Sequence, residues 1–115
     1  MVTKTELTDP NIYLLSSEQE YNQALKQGFL IRDSIELEGF IHASPREQLT
    51  RVANKYYKDT IKPLILVVDT SKVTEEVKWE PAAGSLYPHI YGPLNADAII
   101  ETQEISLNEN GEFRL

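Results

Sequence analysis

The chain has 115 residues, which by length is one domain of the usual ~100–200 residues and too little for a two-lobed enzyme. Eighteen acidic residues against eleven basic ones give a net charge of −7, which repels DNA and disfavours RNA unless the cations gather on one face. The absence of cysteine excludes disulfides, thiolate catalysis and cysteine-ligated metals, and two histidines are too few for a dedicated transition-metal site.

Met1–Pro10 is polar, with no signal-peptide core, and the longest apolar run, Leu64–Val68, falls far short of the ~20 residues that span a bilayer. The expectation is a cytoplasmic protein without membrane partners. Ile12–Leu15 is a short apolar strand. Ser17 opens a capping box with Glu20, Tyr21, Ala24 and Leu25 follow at helical spacing, and Gly28 supplies the C-terminal cap, which predicts a helix over Glu18–Gln27. Ile31–Glu38 reads as an irregular loop with a charged surface. Gly39–Ser44 reads as a short strand whose alternation puts Phe40, His42 and Ser44 on one face.

Ser44 and Glu47 form a second capping box with Pro45 at the first helical position, and Leu49, Val52, Ala53 and Tyr56 repeat at helical spacing, so Pro45–Lys58 is a helix. Pro63–Asp69, apolar on both faces, is a central strand. Val77–Glu80 is another short strand. Pro81–Pro93 carries three prolines and two glycines around Tyr87, His89 and Tyr91, and reads as an aromatic loop. Ala96–Ile105 is a strand, and Asn110-Gly111 is a type I′ hairpin signal that pairs the preceding segment with Glu112–Leu115. About two helices and five or six strands make an α+β domain. The organisation is a single domain over 1–115, with a core at 12–105 and a C-terminal hairpin at 106–115.

Few side chains here support chemistry. His42 and His89 are the groups that change charge near neutral pH without help, although either also fits a packed or loop histidine. Glu80, between Trp79 and Pro81, has the surroundings that raise a carboxyl and suit it to acid–base work or to stabilising a cation, unless it is a plain surface glutamate. Tyr87 and Tyr91 serve either ligand stacking or packing. Residues 44–62 hold Arg46, Arg51, Lys55, Lys58 and Lys62 against Glu47 and Asp59. Arg51, Lys55 and Lys62 fall near one helical stripe, which is either a solvated face or a phosphate receiver. No nucleotide loop, nucleophile elbow, zinc-helix motif or calcium loop is present.

Gly39-Phe40-Ile41-His42-Ala43-Ser44, Lys78-Trp79-Glu80-Pro81 and Tyr87-Pro88-His89-Ile90-Tyr91-Gly92-Pro93-Leu94 together resemble, in order and spacing from about Ile12 to Ile105, the bacterial domain of unknown function 952. The resemblance implies an ADP-ribosyltransferase-like split β-sheet with a cleft for NAD or a related nucleotide, NAD being a substrate and no cofactor being required. It implies ADP-ribosyl transfer or glycohydrolysis, with Glu80, His42 and His89 as the catalytic set and Tyr91, Tyr13, Ser44, Trp79 and Arg51 as ligand-binding residues. The chain departs from the pattern at Leu14, where transferases of this fold place a ribose-gripping histidine on the first strand. The other reading is a non-catalytic domain that binds a ligand or a protein partner through the Pro81–Leu94 loop. The sequence names neither the ligand nor the oligomeric state.

Overall fold

A computed structural model describes residues 11–82 and 84–115. The polar start Met1–Pro10 and residue Ala83 lie outside the described residues.

The architecture is α+β, with two three-stranded antiparallel sheets and a two-stranded ribbon. In chain order the elements are β1 (Asn11–Ser17), α1 (Glu18–Gln27), β2 (Phe29–Leu30), α2 (Ser34–Glu38), β3 (Ile41–His42), α3 (Leu49–Tyr56), β4 (Pro63–Asp69), β5 (Val77–Ala82), β6 (Ser85–Ile90), β7 (Leu94–Asn95) and β8 (Ile99–Glu104). Single 3-10 turns precede α3, follow β4 and precede β8.

The first sheet has the order β1-β4-β8. β1 and β4 are buried on both faces because β1 is apolar from Ile12 to Leu15 and β4 from Leu64 to Val68. Ile12, Leu14, Leu64, Leu66 and Val68 face a core that also takes Ala24 of α1 and Ile41 and Ile90 of the second sheet. Tyr13, Leu15, Ile65 and Val67 face a second core completed by Leu49 and Ala53 of α3 and by Phe113. Leu14 is fully buried in the first core, so the position where the resemblance expects a first-strand histidine is a packing position in this chain.

Helix α1 has the bounds expected of it, with Ser17 Oγ accepting from Glu20 N–H at 3.1 Å and Gly28 closing it at φ 88°. The capping box is only half formed. The Glu20 carboxylate accepts instead from Ser16 Oγ at 2.5 Å and from Arg32 at 2.7 and 3.0 Å.

The strand expected over Ala96–Ile105 is a 3-10 turn over Ala96–Ala98 followed by β8, and four further expectations need correction. Ile31–Glu38 contains α2, a helix of five residues closed by Gly39 at φ 95°, so the strand expected at Gly39–Ser44 shrinks to Ile41–His42. Such a helix is too short to show an apolar period. The helix expected over Pro45–Lys58 is a 3-10 turn over Arg46–Gln48 followed by α3. Its cap position is Pro45, which has no side-chain oxygen to offer, and Ser44 pairs its backbone with Tyr13.

The third correction is the aromatic loop. Pro81–Pro93 contains the end of β5 and all of β6, and β6 is the central strand of the sheet β3-β6-β5. A central strand tolerates Pro88 because the missing N–H falls where β3 leaves. His42 pairs with His89, and Ala43 N–H then donates to Pro88 O at 3.1 Å. The reciprocal bond needs an amide hydrogen that proline lacks, so the ladder stops there. The chain turns to β1, where Tyr13 and Ser44 exchange backbone hydrogen bonds of 2.9 and 2.7 Å.

The fourth correction is the last turn. Leu107 bridges Phe113, but Gly111 alone in this turn has positive φ, whereas a type I′ turn needs two such residues. Asn108 Oδ1 holds the turn by accepting from Asn110 and Glu112 N–H. Asn54 of α3 clamps Phe113 through both its backbone N–H (2.7 Å) and its carbonyl (3.2 Å).

Gly39→Ala tests the α2 closure. A Cβ there meets nothing within 4 Å, so the cost is backbone conformation alone. The expected loss is about 1–2 kcal/mol in a urea titration. An unchanged midpoint would mean that the turn relaxes freely.

Candidate functional site

The polar face of the second sheet follows from its register. Directly opposed residues share a face in an antiparallel pair, and the pairs His42–His89, Lys78–His89 and Glu80–Tyr87 put all five side chains on one side. Ile41, Ile90 and Val77 take the other side, toward the core. Trp79, opposite Pro88, falls on that second side at the edge strand and is 47% exposed. The structure therefore does not bring Trp79 together with the other candidate residues.

At the heart of the polar face is a carboxylate–imidazole–phenol cluster. His89 is 5% exposed, and its Nδ1 lies 2.9 Å from Glu80 Oε1. The Tyr91 hydroxyl donates to the same oxygen. The Tyr91 hydroxyl first, and His89 second, hold the Glu80 carboxyl below its ordinary value. This corrects the expectation of a raised carboxyl beside Trp79: two donors favour the ionised form more than the half-exposed setting opposes it. The same contact pushes the Tyr91 phenol up to about 12. An ionised carboxylate only accepts, so His89 Nδ1 carries the hydrogen, and its Nε2 is buried without a partner.

Phe40 covers the cluster. Its ring stacks on His89 at 4.0 Å and 14°, and meets His42 edge-on at 5.0 Å. The two imidazoles lie 5.3 Å apart at 75°. His42 is the exposed partner, with Nε2 2.7 Å from Glu38 Oε2 of α2.

Beside this cluster opens a cleft of about 650 Å³. One wall is Arg51, Val52, Lys55 and Tyr56 of α3 with Tyr57 behind them. The other is His42, Ala43 and Ser44 with Tyr87 of β6, and the floor is Leu15 of β1 with Arg32, Asp33 and Ser34. Helical spacing puts Arg51 and Lys55 on one face of α3. Arg51 donates to Gln48 Oε1 at 3.0 Å and to the Tyr87 hydroxyl, so its hydrogen bonds go to neutral groups. The Lys55 ammonium lies 5.2 Å over the Tyr56 ring. Arg32 is bound to Glu20 and also donates to the Leu15 carbonyl, which accepts from the Tyr57 hydroxyl as well.

Of the residues singled out from the sequence, His42, Ser44, Arg51, Lys55 and Tyr87 line the cleft. Glu80, His89 and Tyr91 form the adjoining cluster, and His42 belongs to both groups. Tyr13 is 2% exposed in the second core, its hydroxyl accepting from Arg46 at 2.9 Å, so it does not line the cleft. Lys62 leaves the basic stripe and reaches Glu18. Sequence reasoning missed Arg32, Ser34, Tyr56 and Tyr57 as cleft residues and Glu38 as the partner of His42. The adjacent Tyr56-Tyr57 just past Lys55 was the one available signal.

Among the described residues no group of three His, Asp or Glu side chains is gathered as for a metal, and no helix is long and apolar enough to cross a membrane.

The profile of the family described as "Protein of unknown function (DUF952)" matches residues 15–102. The crystal structure of protein CC0527 from Caulobacter crescentus is similar to this chain with a TM-score of 0.81 at 29% identity, over 91% of this chain and 94% of that one. A double mutant of CC0527 gives the same values. The solution structure of CC0527 is similar with a TM-score of 0.76 at 28% identity, over 90% and 91%. No curated protein matches the chain.

The cluster makes a direct titration prediction. One tyrosine ionises near 12 in the folded protein, and Glu80→Gln returns it toward the ordinary 10.0. A raised folded value means that its stabilising share is complete below pH 10 and is lost as pH rises through about 12. For Glu80, held below the ordinary 4.5, that share is present above pH 4.5 and is lost as pH falls through the lowered value. Absorbance titration of the phenols reads the first. A wild-type curve identical to that of Glu80→Gln would contradict the hydrogen bond.

Proposed function

The chain belongs to the family described as Protein of unknown function (DUF952), and we propose that it binds NAD or a related nucleotide in the cleft between α3 and the β3–β6 strands. The observation that carries this reading is the lining. Arg51 and Lys55 stand together with Tyr56, Tyr57 and Tyr87 around about 650 Å³, within the range of small-molecule sites, in a chain of net charge −7. Arg32 is paired with Glu20, so the charges left facing the cleft are those of Arg51 and Lys55 against the carboxylate of Asp33. Two cations suit a pyrophosphate, and tyrosine faces suit the flat rings at its two ends.

The same proposal includes an ADP-ribosyltransferase-like split sheet. It is supported by two three-stranded sheets joined at the Tyr13–Ser44 rung with the cleft opening beside it. In ADP-ribosyl transfer or glycohydrolysis the bond to nicotinamide breaks through an oxocarbenium-like state. Glu80, held ionised, would stabilise that cation electrostatically and would be unsuited to act as an acid.

A second reading, binding without turnover, draws on a specific observation. Glu80 Oε1 is already taken by His89 and Tyr91, and Glu80 is not among the residues lining the cleft. Its version through a Pro81–Leu94 loop gives way to one through the cleft, because that segment is largely strand.

Amide-resolved NMR titration with NAD, ADP-ribose and nicotinamide tests the reading. Shifts are expected at Ser44, Arg51, Lys55, Tyr56 and Tyr87. Arg51→Ala should weaken ADP-ribose binding by about 10- to 100-fold, the worth of a charge-assisted hydrogen bond, with little change in melting temperature. Absence of shifts at millimolar ligand would reject nucleotide binding. Binding without nicotinamide release would select the second reading.

A further inference from the structure

The cleft has two chemically different sides. The α3 wall presents the cations Arg51 and Lys55, whereas the floor and the opposite wall present Asp33, Ser34 and Ser44. Asp33 is the one carboxylate among the described residues that line the cleft. It is exposed, and it stands directly before α2 without capping it. Among the described residues its carboxylate has neither an ion pair nor a hydrogen bond, and its neighbour Arg32 is bound to Glu20 instead.

Two hydroxyls of the same lining are equally uncommitted. Ser44 is only 6% exposed. Its backbone is engaged by Tyr13, but its hydroxyl bonds to no other described residue. Ser34 Oγ is enclosed without a partner, so a turn of its side chain toward the cleft breaks no hydrogen bond. Folded proteins leave few buried polar side chains unpaired, and those that remain call for a partner from outside.

The chemistry of that partner follows from the three groups. A carboxylate only accepts hydrogen bonds, and a serine hydroxyl both donates and accepts. A sugar hydroxyl complements all of them. An ammonium group would leave the serine hydrogens unmatched, and a phosphate would meet Asp33 charge against charge. The cations on α3 take the opposite chemistry, an anion.

From this division we propose that the cleft selects a phosphate ester that ends in an unphosphorylated sugar and rejects one that ends in a phosphate. The anion lies at Arg51 and Lys55, and the sugar hydroxyls donate to Asp33 and exchange hydrogen bonds with Ser44. The inference rests on the nucleotide-binding reading above and adds to it which end of the ligand is discriminated, and by which residues. Asp33 is the specificity-determining group, because the same carboxylate accepts from a hydroxyl and repels a terminal phosphate.

The test compares ADP-ribose with ADP by calorimetric titration of the full chain at one ionic strength. The two ligands share an adenosine diphosphate, but one ends in a sugar and the other in a phosphate that carries a further negative charge. The wild-type chain should bind ADP-ribose about tenfold more tightly than ADP, the worth of a hydrogen bond to a charged group. Asp33→Asn should move the two affinities in opposite directions. ADP-ribose should bind about five- to tenfold more weakly, and ADP about fivefold more tightly. A merely structural role would lower both together. Ser44→Ala should weaken ADP-ribose by about fivefold and leave ADP unchanged. Melting temperatures without ligand identify any failure to fold. If Ser44→Ala folds poorly, Asp33→Asn, which changes an exposed and unpartnered side chain, carries the comparison.

Equal affinity of the wild-type chain for the two ligands overturns the inference. So does an Asp33→Asn chain that keeps the wild-type ratio of affinities. In both cases the nucleotide-binding reading stands. A wild-type chain that binds neither ligand overturns both.

Discussion

Two backbone hydrogen bonds between Tyr13 and Ser44 hold the architecture of the site. They form the one rung between the two three-stranded sheets among the described residues. On one side of the rung, β1 continues against β4 for its full length. On the other, β3 has just left β6, because Pro88 cannot return a hydrogen bond to Ala43. The sheets part at this point. Leu15, the second residue after Tyr13, turns its carbonyl to Arg32 and Tyr57 instead of to another strand. A polar backbone edge satisfied by side chains makes a stable floor for a cleft.

The electrostatics follow from how the carboxylates are distributed. The chain is acidic overall, yet three glutamates near the site are engaged by specific partners: Glu20 by Arg32, Glu38 by His42 and Glu80 by His89 and Tyr91. For Glu20, burial works against the charge, and the Arg32 hydrogen bonds and charge together with Ser16 overcome it, leaving the carboxyl below its ordinary value. Arg51 and Lys55 are bounded by neutral glutamine and tyrosine groups. Within a chain of net charge −7, the cleft thus gathers two cations beside the single carboxylate of Asp33 and the paired Arg32.

The parts of the fold written in local signals were legible in the sequence. Helix α1 carries a cap, an apolar period and a closing glycine within the twelve residues Ser17–Gly28, and β4 is an apolar run with no polar alternation, so both were found with their observed bounds. Strand β6 was hidden because its evidence is tertiary. Proline and glycine around Tyr87–Tyr91 signal a loop, and only the departure of β3 explains why Pro88 is tolerated. Helix α2 is shorter than any period can reveal. At the site, histidine and glutamate chemistry pointed to the cluster of His42, Glu80, His89 and Tyr91. The contributions of Arg32 and Glu38 depend on partners twelve and four residues away, across turns that the sequence does not announce. Tyr13 and Trp79 are aromatic residues whose burial and sheet face were decided by strand pairing, which single positions do not disclose.

The most direct test of the account is a crystal structure of the full chain with ADP-ribose. The account predicts the diphosphate within hydrogen-bonding distance of Arg51 and Lys55, a ring against the tyrosines of the cleft, and the terminal ribose beside His42. A ligand seated elsewhere on the molecule, or a cleft without ligand at saturating concentration, would contradict it.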